Sequence, residues 1–125
     1  MVSTANQAIE DSGLGNDDYT PERAGVSLGS GIGGLHSIEK NHHTLNDSGI
    51  RKVSPFFVPG SIVNMISGLV SIEHQFKGPN HSVVTACSSG SHCIGIAARS
   101  VAYGEADIMI AGGAEMASTL SLIHI

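Results

Sequence analysis

Ser82-Val83-Val84-Thr85-Ala86-Cys87-Ser88-Ser89-Gly90-Ser91 is the stretch on which the reading of this chain turns. Its first five residues, Ser82 to Ala86, have the β-branched content and the length of a short strand buried on both faces. From Ser88 to Tyr103 the pattern becomes helical, and Gly104 ends it. Cys87 then falls at a strand-to-helix corner, where unpaired backbone N–H groups meet the positive end of the helix dipole. Such a place favours the thiolate, which is the nucleophilic form of cysteine. The plainer alternative is that Cys87 is a small buried hydrophobe, the common fate of a free cysteine.

The helix that follows is unusual in composition. Ser91, Gly95, Ala98 and Ala102 form a stripe of small residues along one side. Ile94, Ala97 and Val101 cover most of the rest, leaving His92 and Arg99 as the strongly polar positions. A helix this apolar all round is expected to be buried, with its small stripe open to close approach by another helix.

Working outward, residues 2 to 12 read as a helix stopped by Gly13, and Pro21 stands near the end of the polar loop that follows. Ala24 to Leu28 is a strand candidate, followed by Gly29-Ser30-Gly31-Ile32-Gly33-Gly34 and a helical segment to about Asn46. Residues 49 to 60 are irregular and carry Arg51-Lys52 and the Pro-flanked Phe56-Phe57. Ile62, Met65, Ile66, Leu69, Val70 and Ile72 recur at helical spacing between Ser61 and about Phe76. Gly78-Pro79-Asn80 turns the chain into the cysteine strand. Asp107 to Ala111 is a further buried strand, closed by Gly112-Gly113. Strands alternating with helices predict an α/β fold with layers of helices around a mostly parallel sheet.

Composition narrows the function. In 125 residues, 41% are hydrophobic and 14% charged, which supports a packed core rather than disorder. The net charge of −5 argues against a nucleic-acid partner. The two cysteines, Cys87 and Cys93, lie on different faces of one predicted unit, so a disulfide is not expected and a reducing compartment is. No secretory leader and no apolar run long enough to span a bilayer is evident. The seven histidines show no metal-site spacing, so no metal is expected. Gly29-x-Gly31-x-x-Gly34 matches the dinucleotide fingerprint in form. The residues after the next helix do not make the strand that motif needs, and the better reading is a tight glycine turn with Ile32 as its one bulky side chain. Arg51-Lys52 is the one adjacent basic pair in an acidic chain, either a solvated loop pair or a docking point for an acidic partner. At least one of Phe56 and Phe57 is expected to be buried or to line a cavity.

Taken together, Gly29 to Gly34, Lys52-Val53-Ser54-Pro55-Phe56-Phe57-Val58-Pro59, Val63-Asn64-Met65, Gly78-Pro79, Thr85 to Gly90 and Ala111-Gly112-Gly113-Ala114-Glu115 resemble the β-ketoacyl-[acyl-carrier-protein] synthase II family. The motifs run in order from about Ile9 to Thr119. The resemblance implies a thiolase-like fold of two similar halves, each a five-stranded sheet between helices, assembled as a homodimer. The implied activity is fatty acid chain elongation by decarboxylative condensation, with acyl carrier protein delivering both acyl and malonyl groups and no cofactor. Cys87 matches the acyl-accepting nucleophile, and Ile32 and Phe57 match acyl-pocket residues, Phe57 reaching across the dimer. Arg51 and Lys52 match residues that dock the acidic carrier protein.

By the same resemblance, residues 1–119 are a partial N-terminal half, and 120–125 are an atypical tail that departs from the family after Thr119. The family's catalytic histidine pair, lysine and phenylalanine gate match nothing here, so this chain is expected to carry only the acylation half of the site and to be inactive in condensation alone. The family's opening strand is absent, and its expected place is between Ala24–Leu28 and Asp107–Ala111. The strand Ser82 to Ala86 would pair with its own copy across the two-fold axis. The implied location is the bacterial cytoplasm, or a mitochondrion or plastid in a eukaryote. Two alternatives stand beside this: an inactive chain able only to self-associate, and a degradative-type thiolase, disfavoured by Phe56-Phe57 and Arg51-Lys52.

Overall fold

The computed structural model describes residues 2–15 and 18–116. Four helices, α1 (Val2–Ser12), α2 (Leu35–Ser48), α3 (Asn64–His74) and α4 (Ser89–Ala102), surround a sheet of β1 (Ala24–Gly29), β2 (Asn80–His81) and β3 (Ile108–Gly113). Short 3₁₀ turns occupy Pro21–Arg23, Ile50–Lys52 and Ala86–Ser88. The sheet order is β2-β1-β3, and both pairings are parallel. The α/β architecture expected from the alternating pattern is therefore present.

β1 is buried along all six residues, as a central strand covered on both faces must be. Its two faces differ in size. Ala24, Val26 and Leu28 pack with Ala5, Val70 and Phe76 in the apolar core on the α1 and α3 side. Tyr19 closes that core edge-on to Phe76, with ring centroids 5.2 Å apart. The alternate positions are Gly25, Ser27 and Gly29, small enough for α4 to lie directly on the strand. A Cβ on Gly29 would come within 2.9 Å of Cys93 Sγ and 3.1 Å of Ser89 Cβ, so only glycine allows this approach.

Two expectations are corrected. Ser82 to Ala86 is not a strand buried on both faces: β2 is limited to Asn80–His81, and Val84, Thr85 and Ala86 are exposed. The ladder registers Val26 with Asn80 and Ser27 with His81, and then the buried Ser67 of α3 ends it. Leu28 N–H donates to Ser67 Oγ at 3.0 Å, and that hydroxyl also reaches the His81 carbonyl at 2.6 Å and Ser82 Oγ at 3.0 Å. A side chain thus meets the backbone groups that a longer β2 would have paired. Second, no vacant slot separates Ala24–Leu28 from Asp107–Ala111. β1 and β3 pair directly from Ala24 with Ile108 to Gly29 with Gly113.

α4 also differs from expectation. Ser89, Cys93, Ala97 and Ser100 face the sheet and are buried, whereas Ile94 and Val101 on the outer side are 56% and 43% exposed. The helix is sheet-packed on one side and apolar but uncovered on the other. No described helix is long and apolar enough to cross a membrane.

Candidate active site

The site forms where the C-terminal ends of β1 and β3 meet the start of α4, the usual place for ligands in parallel sheets. Ala86 stands at φ +51°, a left-handed conformation that costs a non-glycine residue roughly 1–2 kcal/mol. The turn is held in that shape by Ser89, which is 3% exposed. Thr85 N–H donates to Ser89 Oγ at 2.9 Å, and the same hydroxyl lies 2.8 Å from the Ala86 carbonyl and 3.0 Å from that of Ser30. The backbone bonds closing the turn are Ser88 N–H to Thr85 and Ser89 N–H to Ala86. The Cys87 N–H takes no part in them. Cys87 is consequently presented at an exposed corner, while Cys93, two turns along α4's buried face from that corner, is fully enclosed.

Cys87 opens onto a cavity of about 540 Å³ lined by Gly29, Ser30, Gly31, Ile32, Ala86, Ser89, Gly90, Gly113, Ala114 and Glu115. Its walls are mostly apolar or backbone. Ile32, 58% exposed, is its one large hydrophobic side chain among the described residues. Among the described residues no histidine lines it, and no group of potential metal ligands exists.

Glu115 organises the opposite wall. Its Oε1 accepts from Ser30 Oγ at 3.0 Å, and its Oε2 accepts from Ile32 N–H at 2.7 Å. Desolvation pushes this carboxyl up, but the N–H groups of Ile32, Gly33 and Gly31 and the Ser30 hydroxyl outweigh it and hold it below the usual carboxylate range. A Cβ on Gly31 would come within 2.9 Å of Oε2, so a side chain there would push the carboxylate from its present place against the turn. Successive N–H groups of such a turn make an anion nest. In a dinucleotide-binding turn they would face a pyrophosphate; here the chain's own carboxylate occupies them.

Of the residues singled out in the sequence, Cys87 and Ile32 come together across this cavity. Phe57 does not line it and is half-buried, while Phe56 is 74% exposed. Arg51 and Lys52 are exposed in the Ile50–Lys52 turn, and neither side chain has an ion-pair partner among the described residues. The tail 120–125 lies outside the described residues. Ser30, Ser89 and Glu115 were not singled out for any role. Glu115 stood in a quoted motif just beyond a Gly-Gly strand end, and Ser89 stood two residues after the cysteine; only those positions hinted at their parts.

The site is thus a corner-mounted thiol over a mostly apolar cavity, set at the ends of parallel strands. Residues 1–124 match the model of the β-ketoacyl synthase N-terminal domain, and the chain belongs to that family. Within it the sequence is similar to several type 2 enzymes. It is 58% identical over 118 residues to 3-oxoacyl-[acyl-carrier-protein] synthase 2 of Coxiella burnetii, covering 94% of this chain and 28% of that protein. It is 44% identical over 115 residues to the mitochondrial 3-oxoacyl-[acyl-carrier-protein] synthase of Arabidopsis thaliana, covering 91% and 25%. Among solved structures, a β-ketoacyl synthase from Burkholderia phymatum superposes with a TM-score of 0.77 at 31% identity, over 94% of this chain and 29% of that one. The ketosynthase of a type II PKS, in complex with its acyl-carrier protein, superposes with a TM-score of 0.81 at 26% identity, over 92% and 33%. The chain therefore spans about a quarter to a third of the length of these relatives.

Proposed function

We propose that Cys87 accepts an acyl group from acyl carrier protein as the first half of a decarboxylative condensation in fatty acid elongation. The observation that carries this is the exposed Cys87 thiol facing a mostly apolar cavity with Ile32 on its wall. The thiolate attacks the carbonyl carbon of the incoming thioester, and a tetrahedral oxyanion forms. The Cys87 N–H, uncommitted in the turn, is a donor for that oxyanion. The intermediate collapses as the carrier's thiolate leaves and takes up a proton, so a new Cys87 thioester replaces the old one. Ile32 and Phe57 are the acyl-pocket residues of this reading, Phe57 acting from a second subunit of a homodimer. Arg51 and Lys52 are its docking charges for the acidic carrier protein.

In the second half, malonyl carrier protein loses carbon dioxide and its carbanion attacks the Cys87 thioester, releasing the thiolate. On this reading the chain alone performs acylation without condensation. The test is to incubate it with octanoyl-carrier protein and map the adduct. A single octanoyl group on Cys87, lost in Cys87→Ser, is expected, with no β-ketoacyl product when malonyl-carrier protein is added. An unmodified chain, or acylation at Cys93, would overturn the reading.

A second reading, self-association without chemistry, is favoured by the uncovered outer side of α4 at Ile94 and Val101. Sedimentation of the chain with and without an Ile94→Lys, Val101→Lys pair, run beside the octanoyl assay, separates the two: an assembly that the pair dissolves, in a chain whose Cys87 takes no octanoyl group, is the second reading.

A further inference from the structure

We propose that Glu115 is a positioning residue that sets the length of acyl chain the Cys87 cavity accepts, by fixing the turn on which Ile32 stands. This rests on the acyl-transfer reading above but concerns a residue that reading does not use. The motive is geometric. Among the described residues Ile32 is the only large hydrophobic side chain on the cavity wall, and its own backbone N–H is bound by Glu115 Oε2 at 2.7 Å. The other carboxylate oxygen takes the Ser30 hydroxyl at 3.0 Å, and Ser30 Oγ in turn accepts from Gly33 N–H at 3.2 Å. Residues 30, 32 and 33 are thereby tied to Glu115 in the segment after β3, 85 positions further along the chain from Ser30. Between Ser30 and Gly34 the chain makes no ladder bond; Ser89 Oγ on the Ser30 carbonyl and Gly34 N–H on the Ser61 carbonyl hold the ends of the turn, and Glu115 is the group that holds Ile32 itself.

The carboxylate has no cationic partner among its contacts. It is held by amides and a hydroxyl, which impose direction as well as attraction, whereas a lysine would supply a point charge that leaves the turn free to rock. The absence of a side chain on Gly31 is part of the same arrangement, since it lets Oε2 reach the amides. Glu115 also borders the neighbouring cavity between α3 and the turn, lined by Gly33, Gly34, Val63 and Met65. It thus forms part of the partition between the two cavities. Loosening it would let Ile32 shift and would merge space behind it with space in front.

The experiment uses the full chain and two alkylating reagents of the same warhead, iodoacetamide and N-octyl-iodoacetamide. The reading is the ratio of their second-order rates at Cys87, with glutathione as the cavity-free standard; intrinsic thiol reactivity cancels in the ratio, so a general loosening does not mimic the effect. Protection of buried Cys93 reports that each variant is folded. The unaltered chain should differ from glutathione in this ratio. Glu115→Ala should move the ratio toward glutathione by about tenfold, the factor carried by one lost hydrogen bond to a charged group. Glu115→Gln, which keeps an acceptor oxygen for Ile32 N–H, should retain most of the original ratio. Should Cys93 become reactive in Glu115→Ala, Ser30→Ala is read instead and should move the ratio the same way by a smaller factor. A folded Glu115→Ala or Ser30→Ala with an unchanged ratio overturns the proposal, as does an equal loss in Glu115→Gln and Glu115→Ala. A ratio equal to glutathione's in the unaltered chain would instead sink the acyl-cavity reading itself.

Discussion

The two ends of the β1–β3 pair are built from different chemistry. At the N-terminal end, Arg23 spans the gap between strands by pairing with Asp107 and by donating to the Gly104 carbonyl at 2.8 Å and the Glu105 carbonyl at 3.3 Å. Both charged groups are open to water. At the C-terminal end the same two strands are joined through Ser30 and Glu115, with Ser89 binding the cysteine turn to them. There a carboxylate is matched to amides rather than to a cation. One end pairs two full charges; the other turns an exposed carboxylate onto backbone amides and leaves a mostly apolar space in front of a thiol. The sheet separates anchoring from chemistry along its own strands.

The sharpest way to break that contrast is to ask whether the thiol at the open end behaves differently from the one beneath it. Limited iodoacetamide labelling followed by peptide mapping should modify Cys87 at least about a hundredfold faster than Cys93, which can react only when α4 lifts from the sheet. Comparable rates at the two would mean that the chemical end is no more exposed than the core.

Next in size is Ser89→Ala. Ser89 is buried and its hydroxyl serves Thr85, Ala86 and Ser30 at once, so its loss leaves the buried Ser30 carbonyl without that partner and removes two further bonds from the turn. A destabilisation of about 1–3 kcal/mol is expected from urea unfolding. The turn should relax as well, because Ala86 keeps its left-handed conformation only while Ser89 holds it. If stability falls and Cys87 labelling is unaltered, the hydroxyl anchors the helix without shaping the corner.

How much of this was legible follows the range of the interactions. Ala24–Leu28 and Asp107–Ala111 read correctly as strands because their apolar, β-branched runs are local signals, and the cysteine corner followed from the switch of pattern after Ala86. Ser82–Ala86 misled for the same reason: Val83 and Val84 have strand propensity, but Ser67, from a helix earlier in the chain, satisfies the backbone groups the ladder required. The direct β1–β3 pairing was missed because strand order is a property of the whole sheet and not of any segment. Glu115 was quoted only as part of a motif, since its partners Ser30 and Ile32 lie far away in sequence and nothing nearby announces them.

A smaller effect tests whether function reaches beyond the cavity. Arg51→Glu with Lys52→Glu should weaken binding of acyl carrier protein by about tenfold at low salt, and the difference should shrink as salt screens it. Alkylation of Cys87 by iodoacetamide should be unaffected, since neither residue lines the cavity. If the double reversal slows alkylation as much as it weakens binding, the pair belongs to the fold and not to docking.

The smallest effect belongs to the anchoring end. The hydrogen bond from Arg23, with its charge, holds the Asp107 carboxyl below the usual carboxylate range, and the same bond raises Arg23. A carboxyl whose folded value is depressed binds its proton more weakly in the folded chain than in the unfolded one. Its stabilisation is therefore complete above the unfolded value and is lost as pH falls through the lowered folded value. Asp107→Asn should be slightly less stable than the unaltered chain at neutral pH, and the two should converge in acid, where Asp107 is protonated and no longer differs in charge from asparagine. The gap should also narrow in high salt, because side-chain exposures of 39% and 58% leave the pair open to screening. Urea midpoints measured across the acid range check this. Curves that stay parallel down to strong acid would show that the anchor works through the Gly104 and Glu105 carbonyls, with the Arg23 fork carrying the contact and the Asp107 charge contributing nothing.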